Sequence, residues 1–84
     1  MLFEFLTLDY EPCPLDEAPA RFGFECPKHP GRMCSGLLIR GQGHDVPNRT
    51  WTWNGDREKP TFSPSINCVQ CSHGFIENGI WRDA

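Results

Sequence analysis

Thr61-Phe-Ser-Pro-Ser-Ile-Asn67, then Cys68-Val-Gln-Cys71, then Ser72-His-Gly-Phe-Ile76 is the stretch on which the fold turns. An extended run, a tight turn across the CxxC gap and a second extended run together predict a β-hairpin. Just upstream, Thr50-Trp-Thr-Trp53 alternates with period two and runs into Asn54-Gly55, the strongest short hairpin signal in the chain. Downstream, a second Asn-Gly pair at Asn78-Gly79 separates Gly74-Phe-Ile76 from Ile80-Trp81. Further towards the N-terminus, residues 2–8, Arg21–Glu25 and Gly36–Arg40 read as strands, and 41–49 as a polar loop holding His44. Leu15–Arg21 has room for one helical turn, limited by Pro19. The expected fold is mainly β: a small single domain, 1–84, of about six short strands and hairpins stabilised by one zinc knuckle site.

Composition agrees with that picture. A chain of 84 residues makes one thin-cored domain, and its 38% hydrophobic residues are broken up by 8 Gly and 8 Pro, so no membrane span can be drawn. The start, Met1-Leu-Phe-Glu4, lacks the basic residues and cleavage site of a signal peptide, which predicts a cytoplasmic protein. The net charge is −3 with Lys and Arg scattered, so nothing resembles a basic stripe and nucleic acid is not the favoured partner. The three Trp leave single-strand stacking open. A protein or peptide partner is expected instead.

Five cysteines in an intracellular chain point to thiols or metal ligands rather than disulfides, with Cys13 as the spare. Cys68-Val-Gln-Cys71 is half of a zinc site, and Cys26-Pro-Lys-His29 repeats its gap upstream. With Cys34 and His73, six ligands compete for four places. Cys26, Cys34, Cys68 and Cys71 make the preferred set, a closed structural Zn2+ site joining the two halves of the chain; His29 in place of Cys34 is the competitor. The bland reading keeps the cysteines as small buried apolar residues without metal.

The same hairpin brings a serine to a histidine. If its turn centres on Val69, Ser65 stands opposite His73 with both side chains on one face; half a residue of slip sets Ser65 against Gly74. In the functional reading Ser65 is a nucleophile, His73 its general base, and Asp56 orients the imidazole. In the other, Ser63 and Ser65 satisfy backbone groups and His73 is a zinc ligand or a surface residue. Trp51, Trp53 and Trp81 read as one face of a small core rather than a recognition groove.

Phe24-Glu-Cys-Pro-Lys-His29, Cys34-Ser-Gly-Leu-Leu-Ile39, Trp53-Asn-Gly-Asp56, Pro60-Thr-Phe-Ser-Pro-Ser-Ile66 and Cys71-Ser-His-Gly-Phe-Ile76 resemble a family of small phage and prophage proteins of unknown function. Many of its members carry the label "ammonia monooxygenase", which fits neither the absence of a membrane segment nor that of a copper site here. The resemblance covers about residues 22–81. Relatives in bacterial operons for ubiquitin-like conjugation imply a peptidase or deconjugase role, with the motif serine at Ser65 and the motif histidine at His73. In some relatives a cysteine directly precedes that histidine, whereas here Ser72 intervenes. The reading is therefore a zinc-stabilised hydrolase acting on peptide or isopeptide-type bonds. Its rival is a non-catalytic zinc-binding module that modulates a host or defence protein, and a third class, a metalloenzyme, requires an open zinc position.

Overall fold

Seven strands lie side by side in chain order: β1 (Phe3–Leu6), β2 (Arg21–Glu25), β3 (Met33–Leu38), β4 (Thr50–Trp53), β5 (Phe62–Cys68), β6 (Ser72–Glu77) and β7 (Ile80–Asp83). They belong to a computed structural model that describes residues 2–38, 50–68 and 72–84. Each strand pairs antiparallel with the next except β3 and β4, which run parallel through Leu37↔Thr50 and Leu38↔Trp51. No helix of the described residues is long and apolar enough to cross a membrane.

The alternation read from the sequence becomes one buried face. Phe5, Phe22, Phe24, Leu38, Phe62, Ile66 and Ile76 point inward with Cys26, Cys34 and Cys68. The sheet curls on itself, since Phe22 of β2 stacks on Phe62 of β5 with ring centroids 4.0 Å apart although the strands are not neighbours. Phe24 similarly meets Trp81 of β7 at 5.8 Å. Burying such a ring stabilises by about 1.5–3 kcal/mol, so these contacts between halves dominate the thin core. Trp51, Trp53 and Trp81 pack against that core rather than lining a groove.

The expectation of a mainly β single domain holds, with differences in detail. The second Asn-Gly turn forms as expected: Asn78 (φ 51°) and Gly79 (φ 77°) both adopt left-handed conformations and set off Ile80–Asp83 as the last of the seven strands. Asn54-Gly55, by contrast, makes no such turn. The Asn54 side chain is engaged across the loop: its Oδ1 accepts the N–H groups of Asp56 and Thr61, and its Nδ2 donates to the Lys59 carbonyl. The connection to β5 is accordingly longer. β3 begins at Met33 rather than Gly36, which brings Cys34 into the sheet. Around Leu15 the chain makes a turn, not a helix, and the Arg57 guanidinium holds it by donating to the carbonyls of Cys13, Pro14 and Glu17. His44 and the 41–49 loop lie outside the described residues.

Candidate functional site

The β5–β6 hairpin carries the chemistry, and its register differs instructively from the expected one. Asn67 pairs with His73, Ile66 with Gly74 and Cys68 with Ser72, so the turn centres one residue later than Val69. A shift of the centre by one whole residue preserves the parity of the faces. Ser65 therefore remains on the same side of the sheet as His73 but stands diagonal to it rather than opposite. Beyond Ile66 the register breaks, and Phe62 pairs with Ile76. Ser63, Pro64 and Ser65 thus bulge opposite the single residue Phe75, a place that suits proline because it has no N–H for the ladder. The Ser63–Pro64 peptide is cis.

Diagonal neighbours in a sheet lie within reach of each other's side chains, and the bulge aims this pair together. Ser65 Oγ and His73 Nε2 are 3.0 Å apart. Ser65 is half-buried and His73 exposed, so the pair opens onto the outer face. With Nε2 unprotonated, the hydroxyl donates to it, which is the arrangement a general base requires. Trp51 steadies the bulge from β4 by donating its Nε1–H to the Ser65 carbonyl at 3.3 Å.

Asp56 is not brought to this pair. Its Oδ1 accepts the N–H groups of Glu58 and Lys59 at 2.9 and 3.0 Å, and these bonds, that from Lys59 foremost, hold its carboxyl below the ordinary value. The loop that contains it packs instead on the Asn78-Gly79 turn, through Gly79 N–H to the Pro60 carbonyl and Asn78 N–H to Thr61 Oγ1. That is the far end of the hairpin from His73. Among the described residues no carboxylate hydrogen-bonds the His73 ring.

On the inner face, the sulfurs of Cys26, Cys34 and Cys68 lie within 4.8 Å of one another and all three residues are buried. Tetrahedral zinc at a Zn–S distance of about 2.3 Å sets its sulfurs about 3.8 Å apart, so this soft, dry donor set fits such an ion. The Cys34 and Cys68 sulfurs also lie at disulfide distance, so the same group can close as a disulfide, which the sequence reading had set aside. His29 Nδ1 lies 3.8 Å from Cys26 Sγ and does not belong to the three-sulfur group. Cys71 lies outside the described residues. Cys13 is the free thiol among those described. A hollow of about 300 Å³ beside Cys26, lined by Leu2, Glu25, Pro27 and Pro30, involves neither Ser65 nor His73.

Strand alternation ties the two clusters together. Ser72, buried, has its Oγ 3.7 Å from Cys26 Sγ on the inner face, while its neighbour His73 meets Ser65 on the outer one. Gly74 follows because there is no space for more: a Cβ there would come within 2.7 Å of the Trp81 ring and would strike the Arg82 carbonyl. Ser72, Trp51 and Asn67 were not singled out from the sequence as parts of the site. Hairpin parity would have marked Asn67, since it shares a face with Ser65 and His73.

A family model described as "Bacterial ubiquitination-like system serine protease (BubE)" matches residues 13–84. No curated protein matches. No solved structure matches either.

Proposed function

The chain belongs to the BubE family of bacterial ubiquitination-like system serine proteases, and from that premise we propose that Ser65 and His73 are its catalytic dyad, hydrolysing peptide or isopeptide-type bonds. The observation that carries the reading is the 3.0 Å approach of Ser65 Oγ to His73 Nε2. The family's tie to a ubiquitination-like system favours a protein substrate joined through an amide bond. The phage setting and the monooxygenase label have no counterpart in that description.

In the reaction, Ser65 Oγ attacks the carbonyl carbon as its proton passes to His73 Nε2. The C=O electron pair moves onto oxygen and returns as the C–N bond breaks, with the imidazolium protonating the leaving amine. Water, deprotonated by the same imidazole, then releases the acyl group. An open outer face admits an extended chain, whereas a small substrate would call for an enclosing pocket. Cys26, Cys34 and Cys68 would hold a structural zinc on the inner face, with Cys71 as the expected fourth thiolate; such an ion would fasten β3 to β5 from within. The protein works in the cytoplasm.

A fluorophosphonate probe tests the dyad. Oγ–P bond formation with loss of fluoride should label the wild type once, at Ser65. Ser65→Ala should abolish labelling and His73→Ala should slow it at least about a thousandfold, with the fold retained. An unlabelled wild type would sink the reading.

A further inference from the structure

A serine attacking an amide leaves negative charge on the former carbonyl oxygen, and something must donate to it. Pro64, directly before Ser65, has no N–H to offer, and the indole N–H of Trp51 is already committed to the Ser65 carbonyl. A side-chain donor on the same face is therefore the place to look.

Asn67 meets the requirement. It lies two residues beyond Ser65 on β5, about 6.6 Å along the strand and on the same face. It is the direct cross-strand partner of His73, a relation that sets Cβ atoms about 4.5–5.5 Å apart. Its side chain is exposed, and no described residue hydrogen-bonds its amide. Such an amide donates freely, whereas that of Asn54 is committed within its loop.

The geometry points to Asn67 as a further catalytic residue: its Nδ2–H donates to the oxyanion that forms when Ser65 attacks. This rests on the dyad proposed above and adds the donor that reading lacks. Nδ2 has to come within about 2.7–3.1 Å of the oxyanion, and losing one such donor costs about 10²–10³ in rate. The alternative role, in which Asn67 only orients the imidazole, predicts a different response to an acidic replacement. A carboxylate at 67 would pair with the imidazolium and preserve the rate, but would repel an oxyanion.

The rate of fluorophosphonate labelling, read by intact mass on the full chain, separates these cases. Asn67→Ala should slow labelling about 10²–10³-fold, and the isosteric Asn67→Asp should slow it at least as much. Near-UV circular dichroism and the thermal midpoint should be unchanged in both, since the side chain is exposed and unbonded. Equal labelling of wild type and Asn67→Ala would overturn the Asn67 assignment and leave the dyad standing. A fast Asn67→Asp beside a slow Asn67→Ala would overturn it in favour of imidazole orientation. A wild type that is never labelled would remove the dyad and Asn67 together.

Discussion

Glycine 74 sits between the histidine of the site and the aromatic core, and it shows how tightly single residues are constrained here. Trp81 and the Arg82 carbonyl fill the space that a methyl group would need. Gly74→Ala is expected to destabilise the domain by about 1–3 kcal/mol through overpacking, read as a lower urea midpoint, and to slow Ser65 labelling because His73 is the next residue. Unchanged stability would mean that Trp81 can swing aside. Asp83 makes a prediction about acid. The Trp81 indole N–H and then Lys28 hold its carboxyl below the ordinary value. A group depressed in the folded state contributes stability at pH values above its unfolded pKa, about 3.9, and loses that contribution as pH falls through its folded value. Asp83→Asn should therefore be less stable than wild type at neutral pH, and the gap should narrow as the pH falls below about 3.9. A gap independent of pH would refute the linkage.

At the level of elements, the β5–β6 hairpin decides whether a site exists. Its two ends are fastened by different means: the Asn78-Gly79 turn beyond β6, and the Cys68–Ser72 end through the sulfur cluster. Gly79 has φ 77° and would bear a side chain only under strain. Gly79→Ala should cost about 1 kcal/mol, measured by thermal unfolding, and should leave the Ser65 labelling rate nearly unchanged because the opposite end holds the register at Ser65. The elements were legible in the sequence wherever side-chain period is local: the period-two run at Thr50–Trp53, the second Asn-Gly turn, and the hairpin built around the CxxC gap. The same-face relation of Ser65 and His73 was legible too, because parity survives a whole-residue shift. The bulge at Ser63–Ser65 was not, since it depends on how β4 and β6 flank β5 together. Nor was the position of Asp56, because nothing local reveals that Asn54 would hold its loop open and set that carboxylate at the wrong end. Parity alone puts Asn67 on the face of Ser65 and His73, but its direct pairing with His73 depends on the register.

For the molecule as a whole, the core is an aromatic stack joining the two halves of a curled sheet, reinforced by sulfur. Phe22→Ala removes a fully buried ring that touches Phe24, Trp51 and Phe62. Its cost, about 3–5 kcal/mol, takes much of the stability of a domain this small, so the variant should lose its near-UV signal at 37 °C. The sulfur cluster has two separable states. Native mass spectrometry after mild reduction should retain one zinc if thiolates hold it, and a chelator should then lower the thermal midpoint. A zinc-free native mass lower by about 2 Da for each bond closed, with stability lost on reduction alone, would assign disulfide closure, and removing one such bond typically costs about 2–5 kcal/mol. The lone parallel pair, β3 with β4, carries a further consequence. Among the described residues, Leu37↔Thr50 and Leu38↔Trp51 are the strand pairs that join the halves, while the Phe22–Phe62 stack and the sulfurs join them from within and Arg57 ties them at the surface. The protein is thus hinged like a book whose pages are glued rather than sewn: severed between residues 38 and 50, its two fragments should find each other again, making the fold a natural candidate for split-protein complementation.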